Sequence, residues 1–182
     1  MEFSKELSQN MEYLQEKLDV NTNFDIVYRV IHAGGRDICL YFIDGFTKDE
    51  VWLRILQSFF TIKQGDYPED PHQFSKEYLP YGEVGLVYTS QEMISQLLMG
   101  VSCLFVDGYD CCFTLDCRTY PARSVSEPDK DKVLRGSRDG FVETLIFNTA
   151  LIRRRIRDPK LTMEIVTAGE SSHTDIAICY MK

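Results

Sequence analysis

Three histidines, His32, His72 and His173, and six cysteines are the side chains of this sequence best suited to nucleophilic, acid–base or metal chemistry. The histidines are scattered, and none neighbours a Ser, Cys or acid in a nucleophile motif. No G-x-x-x-x-G-K-[ST] phosphate loop, G-x-S-x-G elbow or H-E-x-x-H zinc pair occurs. Cys39, Cys103 and Cys179 sit inside apolar, strand-like runs, where a free thiol behaves as a small hydrophobe. Cys111, Cys112 and Cys117 lack the C-x-x-C zinc knuckle, and strand alternation sends Cys111 and Cys112 to opposite faces. Asp44-Gly45 and Asp107-Gly108 read as turns that end strands, and Asp110 and Asp116 as hairpin residues rather than an acid pair. The expectation is reduced, buried thiols, no metal, no cofactor, no catalytic residue and no enzymatic activity.

The unusual chemistry is cationic. Residues 135–160, RGSRDGFVETLIFNTALIRRRIRDPK, hold seven Lys+Arg against three Asp+Glu, whereas the rest of the chain carries 13 basic and 25 acidic residues. Read as a long helix capped by Ser137 and stopped by Asp158-Pro159, the segment has Asp139 and Glu143 in its first turns. Arg153, Arg154, Arg155 and Arg157 then fall at its end, a polarity that suits the helix dipole. Phe141, Leu145, Asn148, Ile152 and Ile156 fall on one face. Consecutive arginines span most of the helix circumference, so they cannot all face water. They either snorkel and pair with acids of their own domain, or dock an acidic neighbour, a second domain or subunit. Four arginines on one helix end of an acidic chain make a poor phosphate track, so nucleic acid is not an expected partner.

The elements that position these residues follow from periodicity. Residues 3–18 repeat Leu7, Met11, Leu14 and Leu18 at helical spacing. FDIVYRVIHAG and RDICLYFIDG are β-rich runs about Gly34-Gly35, a hairpin signal. Thr47 with Glu50 reads as a capping box for a helix bearing Val51, Ile55, Leu56 and Phe59 on one face. Residues 66–81 read as loop with a short helix after Pro71, and Ser90 as the cap of a helix that closes at Gly100. VSCLFVDGYDCCFTLDCR gives two strands, residues 120–136 an exposed linker, and LTMEIVTAG with HTDIAICYMK a last hairpin. This last pair echoes the first: both contain Ile-Val, Ala-Gly, and an Asp-Ile followed by Cys and Tyr. Two unrelated hairpins of similar β composition account for the echo equally well. If the echo is a repeat, the second copy lacks the helix that follows the first, and the native chain continues beyond Lys182.

The 182 residues carry a net charge of −8 with 44% hydrophobic residues, enough apolar surface for a core. So acidic a chain is a poor general binder of nucleic acid or anionic lipid. No run reaches the roughly 18 apolar residues of a membrane span, and the MEFSKELSQN start is unlike a signal peptide. The expected fold is α/β: a mixed, largely hairpin-built sheet with packed helices, including the long Arg-rich one over about 138–157.

Residues 121–161 resemble the GerA family of spore germination proteins, the A subunits of nutrient germinant receptors. The resemblance rests on Gly136 and Arg138, then Asn148, Ala150, Leu151, Ile152, Arg153, Arg154, Arg155, Ile156 and Arg157. Gly136-Ser137-Arg138-Asp139-Gly140-Phe141 points to one branch, because many receptor A subunits carry Pro after that glycine. The resemblance implies that residues 1–182 are an N-terminal cytosolic subdomain of a larger membrane protein. That protein would sit in the inner spore membrane with this part facing the cytoplasm or spore core. Its implied partners are other germination-complex subunits, the adjacent domain and further copies of itself, and its implied role is ion or small-molecule release as dormancy ends. On this reading Gly136, Arg138, Asp139, Asn148, Asp158 and Pro159 are structural signature residues, and Arg153, Arg154, Arg155 and Arg157 an interaction surface. A cytosolic domain sensing a small nutrient or anion is the alternative.

Overall fold

In the computed structural model, residues 1–47, 49–79, 81–120 and 140–182 are described, Asp49 by its backbone alone. The elements run α1 (Leu7–Leu18), β1 (Ile26–Ala33), β2 (Arg36–Ile43), α2 (Asp49–Phe59), α3 (Pro71–Tyr78), β3 (Val84–Val87), α4 (Ser90–Leu98), β4 (Ser102–Val106), β5 (Cys112–Leu115), α5 (Leu145–Arg155), β6 (Leu161–Ala168) and β7 (Thr174–Met181). The expected α/β class and hairpin-built sheet are what the chain adopts. Every strand pair is antiparallel among the described residues. Five strands form one sheet in the order β1-β2-β4-β5-β3, and among the described residues β6 pairs only with β7.

The first hairpin turns on Gly34 and Gly35, both at positive φ (55° and 82°), the backbone that a two-residue turn between twisted strands requires. Period-two alternation then sorts the central strands to two cores. Cys39, Tyr41 and Ile43 of β2 join Cys103 and Phe105 of β4 beneath α1 and α4. Ile38 and Leu40 join Leu104, Val106, Phe113 and Leu115 beneath α2 and α3. Cys111 and Cys112 do part to opposite cores. Helices on both faces explain why β2 and β4 read as nearly continuous apolar runs.

Several expected boundaries shift, each for a local reason. The first helix starts at Leu7 rather than Phe3, because Ser4 and Asn10 bond each other through Ser4 N–H to Asn10 Oδ1 (2.9 Å) and Asn10 Nδ2 to Ser4 O (2.7 Å). Asp107, expected only as a turn residue, reaches from β4 to accept the Leu7 N–H at 3.0 Å. Thr89, not Ser90, caps α4 by accepting the Glu92 N–H. β3, a short edge strand broken by Gly85, had no signal of its own; its pairing to β5 supplies what its sequence does not.

Phe74 of α3, fully buried, centres an aromatic cluster with Phe59, Tyr67, Tyr78, Tyr109 and Phe113 at ring separations of 5.3–6.4 Å. Phe74→Ala is expected to cost about 3–5 kcal/mol, read as a lower urea midpoint. A loss below about 1 kcal/mol would show that the α3 cluster is peripheral to the core.

Candidate functional site

The arginine run lies on α5, which is shorter than its sequence period suggests. Residues 140–144 are not helical, because Asn148 folds back to bond both polar groups of Val142, N–H to Oδ1 at 2.7 Å and Nδ2 to O at 2.6 Å. At the other end Ile156 is already extended. Asp158 accepts the Lys160 N–H at 2.8 Å in an Asx-type turn, and Pro159 discourages helix before it. Asn148, Asp158 and Pro159 are thus placed as the local stops of α5. The other signature residues, Gly136, Arg138 and Asp139, lie outside the described residues, as do the Ser137 cap and the linker after Tyr120.

The four arginines part company. Arg153, assigned to a contact surface by the sequence, is inside: its side chain is 0% exposed and faces Asp25, itself 2% exposed. Nε and Nη2 donate to the two Asp25 carboxylate oxygens at 2.7 and 2.9 Å, and Nη1 donates to the Leu161 carbonyl at 3.0 Å. A guanidinium fork matches a carboxylate two bonds at a time, which is why arginine rather than lysine suits this place. Asn23 completes the joint, with Nδ2 donating to Leu18 O and Oδ1 accepting Met163 N–H, both at 2.8 Å. Phe24 N–H donates to Met163 O. One cation therefore ties α5, the loop before β1 and the start of β6.

Arg154, Arg155 and Arg157 remain exposed. Arg154 lies over the Tyr120 ring at 4.3 Å, and Tyr120 in turn donates to Met99 O and packs edge-on against Phe46. Arg157 Nε donates to the Arg154 carbonyl, capping the end of the helix. Beneath, α5 approaches the β2–α2 turn so closely that a Cβ on Gly45 (φ 82°) would sit 3.0 Å from Ile146 and 3.2 Å from Ala150. Arg118 holds the Asp116 carboxyl below its ordinary range through a bidentate contact. That pair contributes stability above the ordinary carboxylate pKa and loses it as pH falls through the lowered one.

Burial pushes the Cys39 and Cys111 thiols up to about 12, away from a reactive thiolate. Among the described residues no three His, Cys, Asp or Glu side chains group to hold a metal, and no helix is long and apolar enough to cross a membrane.

Against this geometry, the Bacillus/Clostridium GerA spore germination protein family matches residues 12–182. The chain belongs to the GerA family. It is 34% identical over 176 residues to Stage V sporulation protein AF of Bacillus subtilis, covering 96% of this chain and 36% of that relative. This GerA chain is also 29% identical over 175 residues to Spore germination protein KA of Bacillus subtilis, covering 92% and 32%. The chain therefore spans about a third of the length of these relatives. The fold is that of the N-terminal domain of the A subunit of the Bacillus megaterium spore germinant receptor GerK3: TM-score 0.75 at 23% identity, over all of this chain and 66% of that one.

The Arg153–Asp25 joint carries the prediction of this site. Arg153→Ala or Asp25→Ala alone should cost about 3–5 kcal/mol by leaving a buried charge unpaired. The double variant should cost clearly less than their sum, as read by a double-mutant cycle on urea midpoints. Additive losses would mean that the two charges are not coupled.

Proposed function

We propose that this chain is the N-terminal, cytosol- or spore-core-facing part of a longer membrane protein of the inner spore membrane. It acts in assembly or signalling of a germinant receptor or release-channel complex. One observation carries the reading. The exposed Arg154, Arg155 and Arg157 sit together at the C-terminal end of a helix whose buried Arg153 fixes it to the domain. A cationic patch on an otherwise acidic chain, held on a rigid element, suits an acidic neighbour: the adjacent domain, another germination subunit or a further copy. Membership of the GerA family supports the setting.

Charge reversal tests it. Arg154→Glu with Arg157→Glu in the longer protein should cut recovery of associated subunits by about tenfold or more. The stability of the 182-residue chain should fall by about 1–3 kcal/mol, from the lost Arg154–Tyr120 contact, the lost Arg157 cap and the acids now at the helix C-terminus, with the fold retained. Intact assembly would remove the contact role.

A second reading, small-ligand sensing, has its own observation. A groove of about 440 Å³ between β2 and α2 is lined by Leu40, Phe42, Trp52, Leu56, Arg29 and Glu50. The Trp52 indole N–H is buried without a hydrogen-bond partner among the described residues. Trp52 is the only tryptophan, so its fluorescence reports on the groove. On this reading, an amino acid, sugar or anion raises the melting temperature and shifts that emission. A flat screen ends it.

A further inference from the structure

The helices that precede the β1–β2 and β6–β7 hairpins are built alike. α1 and α5 both begin after an extended N-cap, Glu6 (φ −84°, ψ 109°) and Thr144 (φ −87°, ψ 116°), and neither side chain makes a cap bond. In both, the fourth helical residue is an asparagine that folds back six positions. Asn10 bonds the N–H and C=O of Ser4 at 2.9 and 2.7 Å, and Asn148 bonds those of Val142 at 2.7 and 2.6 Å. The ordinary device is a hydrogen bond from the N-cap side chain itself, so its shared absence, with an asparagine in its place, is informative. The sequences agree around it: Phe3, Leu7, Asn10, Leu14 and Leu18 recur as Phe141, Leu145, Asn148, Ile152 and Ile156. Each helix then leads to a hairpin of two eight-residue strands, and α5 lies against β7 as α1 lies against β2. The hairpin loops differ, two residues at Gly34-Gly35 against five at 169–173.

What differs most is cover. In the first unit Ile31, Ile38 and Leu40 are buried on the face that α2 packs against. Aligning Ala33-Gly34 with Ala168-Gly169, and Asp37 with Asp175, makes their counterparts Val166, Ile176 and Ile178. These three are 41–44% exposed, and Tyr180, the counterpart of Phe42, is 39% exposed. Phe3 is 6% exposed and its counterpart Phe141 68%. Strands apolar on both faces belong in the middle of a covered sheet, and a lone two-stranded ribbon is marginal in water.

We propose that α1–β1–β2 and α5–β6–β7 are two copies of one α-β-β unit. The uncovered face of Val166, Ile176, Ile178 and Tyr180 is then the seat of a helix of the same polypeptide, the counterpart of α2, supplied by residues following Lys182. The occupant is argued from the first copy, where the helix after the hairpin fills this place, and from relatives about three times this chain's length. The proposal does not need the germination reading.

Hydrogen exchange decides it, comparing the 182-residue chain with the polypeptide as made in its cell. In the shorter chain, as a monomer, β6–β7 amides beyond Met163 should exchange at least about tenfold faster than in the native product. Ile178→Asp should abolish the difference. If that variant does not fold in the native product, Ile178→Cys should react with a maleimide in the short chain and be shielded in the native one. Equal exchange, equal labelling or a native product no longer than this chain overturns the proposal. So does protection that appears only as the short chain is concentrated, since a second copy would then be the occupant.

Discussion

A guanidinium with no exposed surface must be paired, and the way Arg153 is paired sets the arrangement of everything after residue 140. Its fork on Asp25 and its bond to the Leu161 carbonyl draw three stretches distant in sequence to one point. Because the pair is buried, the geometry is enforced: any slip of α5 leaves a carboxylate or a guanidinium in the core without a partner, which costs far more than an exposed ion pair is worth. The close approach of α5 to Gly45 is the steric half of the same constraint.

The same burial divides the arginine run. Consecutive arginines cannot share an environment, and they do not: Arg153 is buried on Asp25, while Arg154, stacked on Tyr120, Arg155 and Arg157 are exposed at the helix end. A signature that looks like one cationic cluster is thus an internal pin next to an external patch. The pin gives the exposed arginines a fixed direction.

Local pattern made much of the fold legible. The Gly34-Gly35 and Asp107-Gly108 hairpins, the α2 face of Ile55 and Phe59, and the split of Cys111 from Cys112 all follow from turn chemistry and periodicity. What was illegible is tertiary. Asp25 gives no sign in sequence of an arginine 128 positions away, and β3 exists because β5 offers it an edge. Apolar spacing overstates the length of both α1 and α5 for one reason: it continues past a point where an asparagine has already claimed the backbone of the preceding turn. The recurring spacing of Phe, Leu and Asn was in the sequence, but only the paired hydrogen bonds give it meaning.

Arg153 is the pin between the five-stranded sheet and α5–β6–β7, and amide exchange in an Arg153→Met variant tests this most directly. If the account holds, α5, β6 and β7 lose protection together while β2, β4 and β5 keep theirs, since the second unit is released as a body. Protection that falls evenly across the chain, or not at all, would contradict it.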